Sequence, residues 1–188
     1  FEYIDEVLSH FSKGDIVVLQ NEINNVPYII ERCYEKEMKS FFNAAPYDIA
    51  VKNSPIEKVT WLVVNETEGA ALSNEEDYEK IIQTLKQKYP HTHILFTMGK
   101  EGSRAYYKNL RVEQPGFTVK AIETTGAGDT FCGCSINGVL KYGLDNLDEE
   151  KLKEILTYAN AGAALITMKK GAIRSMPEPQ NIKELIGE

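Results

Sequence analysis

The residues of this chain best suited to chemistry are gathered in Thr124-Thr-Gly-Ala-Gly-Asp-Thr130. Gly126 and Gly128 leave the backbone N–H groups of residues 126 to 129 bare of side chains at an expected helix entrance, where the helix dipole adds partial positive charge. Such a turn receives an anion. Asp129 adds a second capacity. A carboxylate beside a phosphate-binding turn is a poor choice for merely holding phosphate, but it suits taking a proton from a hydroxyl that attacks phosphorus. The same residues taken alone also describe a tight glycine turn followed by a first-turn acid that the dipole favours.

The elements around this turn follow from periodicity. Phe117, Val119 and Ala121 alternate with Thr118 and Lys120, which predicts a strand over 116–122. Phe131, Cys134, Ser135, Gly138, Val139 and Tyr142 recur at helical spacing, which predicts a helix packed closely through small residues and stopped by Gly143. Earlier in the chain, strands are predicted at 15–20 and near 38–42. A helix is predicted at 26–37, with Pro27 in its first turn. Trp61-Leu-Val-Val64 is a continuous apolar run, as expected of a parallel strand covered on both faces. Ser73-Asn-Glu-Glu76 reads as a capping box opening a helix through Lys88. A buried strand follows at 94–98. A hairpin is expected from Ala105-Tyr-Tyr107 and Leu110-Arg-Val112 about Lys108-Asn109. Leu152, Ile155, Leu156, Ala159, Ala163 and Ile166 predict a long helix, and Pro177-Glu-Pro179 leads to a short tail helix. Helices and strands alternate, as in an α/β fold, and residues 1–188 are read as a single domain.

The chain has 188 residues, 43% hydrophobic and 26% charged, the make-up of an ordinary globular protein with a real core. Its net charge of -7 with no basic run argues against nucleic acid as the main partner. No apolar run approaches the roughly 20 residues of a membrane helix, so no membrane partner is expected and a cytoplasmic setting is. Cys33, Cys132 and Cys134 read as small core residues and not as a metal set.

Glu123-Thr-Thr-Gly-Ala-Gly-Asp-Thr-Phe131 resembles the second signature of the ribokinase-like (PfkB) family of sugar and nucleoside kinases. Further segments match in the same order. Gly14-Asp-Ile-Val-Val-Leu-Gln-Asn-Glu-Ile23 and Asn43-Ala-Ala-Pro46 resemble mid-family segments. Asn65-Glu-Thr-Glu68 resembles the family's Asn-x-x-Glu motif, and Thr97-Met-Gly-Lys-Glu-Gly-Ser103 its nucleotide-contacting loop. Asn160-Ala-Gly-Ala-Ala-Leu165 and Lys170-Gly-Ala-Ile-Arg-Ser-Met-Pro177 resemble its C-terminal helix and closing loop.

The resemblance implies a three-layer α/β/α fold with a mostly parallel central sheet. It also implies that the chain is the C-terminal portion of a member, lacking the N-terminal half and the lid. Such a portion is expected to expose an unpaired edge strand and to have little activity by itself. The implied function is transfer of the γ-phosphate of ATP to a hydroxyl of a sugar or related small molecule. Asp129 would be the base, and the N–H groups of Gly126, Ala127 and Gly128 would form the anion hole. Thr97, Gly99 and Gly102 would lie against the nucleotide, with Asn160 near the adenine. Asn65 and Glu68 would act around Mg2+ and the phosphates. Glu123, Thr125, Lys169, Gly171 and Ser175 fall where members surround a monovalent cation, K+ included. The family's usual residue at position 123 is Asp, and the extra methylene of Glu123 moves the carboxylate. A homodimer is compatible with the resemblance. The alternatives are a nucleoside or vitamin kinase of the same fold, and a nucleotide-binding regulatory module without turnover.

Several other residues read as structural. Gly99-Lys100 is not a Walker loop, because Ile94 and Glu101 stand where that motif needs glycine and a hydroxyl residue. His91 and His93 read as surface residues. Trp61 and the ten tyrosines read as packing, with no interleaved basic residues to make a base-stacking platform.

Overall fold

The computed structural model describes all residues, Phe1–Glu188. By internal contacts the chain divides into two compact units, Phe1–Phe96 and Thr97–Glu188.

The first unit runs α1 (Glu2–Ser9), β1 (Ile16–Gln20), α2 (Val26–Glu35), β2 (Lys39–Asn43), the one-turn α3 (Ile49–Lys52), β3 (Trp61–Asn65), α4 (Glu66–Ser73), α5 (Tyr78–Lys88) and β4 (His93–Thr97). Strands β1, β2 and β3 pair in parallel, with Phe41 opposite Trp61 and Phe42 opposite Leu62. The apolar runs are buried on both faces, as parallel strands under helices require: Phe41, Phe42, Trp61, Leu62, Ile94 and Phe96 lose all solvent contact. Pro27 sits in the first turn of α2 as expected. That helix ends at Glu35, because Glu37 takes a left-handed φ of 54° and turns the chain into β2.

One expectation here is corrected. Ser73 does not open a helix; it ends α4, its Oγ donating back to the Gly69 carbonyl at 2.7 Å, while Asn74 adopts φ 62°. The cap of α5 is Asp77, whose Oδ1 accepts from the N–H groups of Glu79 and Lys80. A left-handed Asn stops a helix, and an Asp before the next apolar stripe starts one.

The second unit contains β5 (Gly102–Tyr107), β6 (Leu110–Pro115), α6 (Ala127–Tyr142), α7 (Glu149–Thr167) and α8 (Pro179–Ile186). The hairpin β5–β6 is antiparallel, with Lys108 at φ 52° in its turn. Helix α7 packs on β5, β6, α6 and α8. The small-residue contact expected of α6 is present. A side chain at Gly138 would come within 2.7 Å of Ile155 on α7, so the two helices approach more closely than any larger residue allows.

The strand predicted over 116–122 does not form. Its alternation is real, but the ladder ends at Pro115. The Asn160 amide takes the carbonyls of Gln114 and Pro115, and both Ile122 and Glu123 donate their N–H to the Thr167 carbonyl at the end of α7. Backbone groups committed to a helix end and a side chain cannot extend a sheet.

Within the first unit the strands are hydrogen-bonded in the order β1-β2-β3-β4 and within the second β5 pairs with β6; the fold is a three-layer α/β/α fold with a mostly parallel sheet. Val18, in the middle of β1, is 55% exposed. No helix is long and apolar enough to cross a membrane.

Candidate active site

The glycine turn forms the entrance of α6. Gly126 is its N-cap at φ 81°, a conformation glycine adopts without strain. A side chain there would meet Ile166 Cδ1 at 3.0 Å and Ala172 Cβ at 3.4 Å, so the turn lies directly on the end of α7 and on the following loop. Gly128 is different. A Cβ built on it meets nothing within 4 Å, which leaves an open approach to the backbone at the first turn. The N–H groups of Gly128 and Asp129 make no hydrogen bond within the chain, whereas that of Ala127 donates to Thr124 at 3.2 Å. Of the N–H groups named for the anion hole, the Ala127 donor is therefore engaged in the turn. Asp129 lies exposed in the first turn and is not turned into the core. The place and the groups suit an anion beside a proton acceptor.

Glu123 ties this turn to the 170–175 loop. Its Oε2 accepts the N–H of Gly171, itself at φ 94°, at 3.1 Å. That bond, the Thr125 hydroxyl and the Lys170 ammonium hold the carboxyl below the usual carboxylate range. Ser175 is buried, and its Oγ donates to the Lys170 carbonyl at 2.7 Å. Lys169 and Ser175 line a cleft of about 480 Å³ with Met168, Pro177 and Asn181. Gly171 is thus bonded to Glu123 and Ser175 to the backbone of the same loop, while Lys169 and Ser175 line the cleft. Sequence reasoning missed Lys170. Its signal was the Lys-Lys pair at the end of a helix, beside an acid 47 residues earlier.

Thr97 ends β4, and Gly99 at φ 52° opens a short helical turn. At Gly102, φ 110°, a Cβ would fall 2.1 Å from the Gln114 carbonyl oxygen. The close backbone approach that requires glycine at 102 is made by β6. Asn160, 6% exposed on α7, holds the same junction: Oδ1 accepts from Ser103 Oγ at 2.8 Å, and Nδ2 donates to Gln114 and Pro115 at 3.1 Å each. Both protons of its amide nitrogen have protein acceptors. Ser103 was missed as a partner, although an inward polar residue on an apolar strand signals one.

In the first unit, Asn65-x-x-Glu68 forms a reciprocal capping box. Asn65 Oδ1 accepts from the N–H groups of Thr67 and Glu68, and Glu68 Oε2 accepts from Asn65 N–H at 2.8 Å. Glu68 is 6% exposed, and burial pushes its pKa up against the pull of the Asn65 hydrogen bonds. Nowhere do three or more His, Cys, Asp or Glu side chains stand ready to hold a metal ion.

The remaining residues are structural. His91 is exposed as expected, whereas His93 is half-buried; it opens β4 and sets its ring edge-on to the buried Trp61 at 4.9 Å. The three cysteines are free, and burial raises all three thiols, Cys132 and Cys134 to about 11.

The chain is 43% identical over 93 residues to a probable fructokinase-5 of Arabidopsis thaliana, a match covering 50% of this chain and 29% of that protein. It is 39% identical over 93 residues to fructokinase-1 of Zea mays, again covering 50% and 29%. Among solved structures it superposes on an Arabidopsis thaliana ribokinase complexed with ribose and ATP with a TM-score of 0.76 and 25% identity. That match covers 92% of this chain and 56% of the ribokinase. A fructokinase from Vibrio cholerae O395, bound to fructose, ADP and calcium ion, shares the fold at TM-score 0.79 and 20% identity, covering 93% and 61%. The match thus spans under a third of the length of each of these two fructokinases. Residues 29–179, from α2 through the glycine turn to the start of α8, match the pfkB family carbohydrate kinases, and the chain belongs to that family.

Proposed function

We propose that this chain carries the phosphoryl-transfer machinery of an ATP-dependent sugar kinase. The observation that carries the reading is the α6 entrance, where unpaired N–H groups at Gly128 and Asp129 lie beside an exposed carboxylate. ATP would place its γ-phosphate at this turn. The acceptor hydroxyl would give its proton to Asp129 as its oxygen bonds to phosphorus, and the bond from phosphorus to the ADP oxygen would break. Donors already aimed at the developing charge need no reorganisation, and each is worth about 3 to 4 kcal/mol in comparable sites. Gly126 and Gly128 keep the approach bare.

Magnesium, when bound with the nucleotide, would neutralise phosphate charge. Glu68 and Asn65 suit it through water and not by direct ligation, since both side chains are already bonded in the capping box. A desolvated carboxylate with a raised pKa gains from a nearby cation. Asn160 would serve the nucleotide by fixing the Gly102 junction. Fructokinase likeness over half of the chain favours a hexose such as fructose as acceptor. A cytoplasmic setting belongs to the same reading, with three unpaired cysteines suited to a reducing compartment.

The test is Asp129→Asn in the full-length protein, assayed for fructose-dependent ADP formation. Loss of the base should lower kcat by 100-fold or more, on the order of the contribution of general bases, with the KM for ATP little changed. Turnover within tenfold of the wild type would remove Asp129 from that role. ATP binding with no phosphorylation of any sugar by the intact wild-type chain would favour a regulatory module instead.

A further inference from the structure

We infer that Thr130 is a positioning residue whose hydroxyl holds the glycine turn in the shape that presents the open N–H groups of Gly128 and Asp129. Those groups are the ones to which the kinase reading brings phosphate, so the role rests on that reading and deepens it.

The turn needs holding. It contains two glycines in three residues, and the first N–H groups of a helix have no partner within it, so its entrance is the part that frays. The Gly126 carbonyl receives two donors from one residue: the N–H of Thr130 at 2.9 Å and the Thr130 hydroxyl at 2.8 Å. A carbonyl oxygen has two lone pairs, and Thr130 fills both. Each bond closes a ring around residues 127–129, the stretch that carries the two open N–H groups. The hydroxyl is therefore a second fastening on the same span.

Burial alone does not produce this bond. Ser135, on the same helix and without solvent contact, leaves its hydroxyl with no hydrogen-bond partner in the chain. In general a hydroxyl bonded four residues back slightly destabilises a helix, so stability is not its reason either. The branched side chain divides its contacts. While Oγ1 meets the turn, the methyl faces α7: a Cβ built on Gly162 would come within 3.3 Å of Thr130 Cγ2. Packing of that methyl fixes the stiff χ1 of threonine and with it the aim of the hydroxyl. At 6% exposure, little water reaches the site to compete. Donors that meet charge on a transferring phosphoryl group act best when already in place. A turn free to rotate would have to order them at each turnover, and that cost falls on kcat.

The test compares wild type with Thr130→Ser, Thr130→Val and Thr130→Ala in the full-length protein, by fructose-dependent ADP formation and by urea unfolding. Threonine and serine share the hydroxyl, whereas threonine and valine share the branched shape. Turnover should follow the hydroxyl: Thr130→Val and Thr130→Ala should lower kcat roughly fivefold to tenfold, the rate equivalent of one hydrogen bond, and Thr130→Ser by no more than about twofold. The KM for fructose should stay the same throughout. The unfolding midpoint should instead follow the methyl, falling in Thr130→Ser and Thr130→Ala. A kcat that tracks the midpoint, or that is equal in the serine and alanine variants, would overturn the role. If the valine variant does not fold, the serine and alanine pair, which differ only by the hydroxyl, still decides. Amide exchange at position 130, followed by NMR, reads the turn without turnover and should be faster in Thr130→Ala than in Thr130→Ser. That order in a protein that phosphorylates no sugar would keep the hold on the turn and sink the kinase reading. Equal kcat and equal exchange in those two variants of an active kinase would sink the role of Thr130 and leave the kinase reading standing.

Discussion

At the scale of single residues, the two glycines of the turn separate stability from function. Gly126 needs its left-handed backbone and has Ile166 and Ala172 against it, so Gly126→Ala should destabilise the protein by about 1 to 2 kcal/mol through strain alone. Gly128 sits in the first turn of α6 with open space where a Cβ would go. Alanine is the better helix former by up to about 1 kcal/mol. Gly128→Ala should therefore hold or raise the midpoint of urea unfolding while weakening ATP binding, measured by calorimetry. An alanine at 128 that leaves nucleotide affinity intact would mean that the approach to the backbone is not used. The glycine turn at a helix entrance with Asp129 in the first turn was legible in the sequence because it depends only on neighbours along the chain. Glu123 and Gly171 were legible as individuals but not as a bonded pair, since 48 residues separate them and no local pattern encodes the contact. The residue-scale lesson is that the identity of a site residue and its partner are different pieces of information.

At the scale of elements, the periods of apolar residues specified helices and strands well where burial was two-sided or striped, as in β3, α6 and α7. They failed where polar groups decide. The alternation at 116–122 is that of a strand, but Asn160 and the end of α7 capture the hydrogen-bonding groups on either side of it. Ser73-x-x-Glu76 has the letters of a capping box, yet the box forms at Asn65-x-x-Glu68, directly after a buried strand that fixes where the helix must begin. Asn160 is the clearest case of an element held by one side chain. It joins α7 to both strands of the hairpin, and its partner Ser103 has no solvent contact. Asn160→Asp keeps the shape but removes both donors, leaving a carboxylate against the carbonyls of Gln114 and Pro115. The cost should be about 3 kcal/mol in denaturant unfolding, given 1 to 3 kcal/mol for each buried polar group left bare. A shift of less than about 1 kcal/mol would mean that water replaces the amide at this junction.

At the scale of the whole molecule, acid acts on two properties that should part company. The net charge is -7 at neutral pH and vanishes near the sequence pI of about 5.1. Self-repulsion fades on the way there. Val18, 55% exposed in the middle of β1, then lies on a surface with less repulsion to keep copies apart, and an exposed apolar side chain favours association. Folding stability follows a different course. Asp5 is held low by the Tyr28 hydroxyl and Arg32, Asp48 and Asp148 by the helix N-termini they cap, and Glu154 by Tyr142 and Lys141. A carboxyl whose pKa is depressed on folding contributes stability that is complete above its unfolded value, here 3.8 for Asp and 4.5 for Glu, and is lost as pH falls through the folded value. Glu68 runs the other way. Its raised pKa makes the ionised form unfavourable in the fold, so acidification through that value relieves a cost. Both directions leave the fold intact at the pI. Light scattering should therefore rise between about pH 5.5 and 4.8, where net charge is smallest, while circular dichroism stays native until the pH drops below the unfolded carboxyl values. Val18→Lys should suppress the scattering without moving the acid unfolding curve. Scattering that rises only together with the loss of native dichroism, or that Val18→Lys does not touch, would place the cause in unfolded chain and not at Val18.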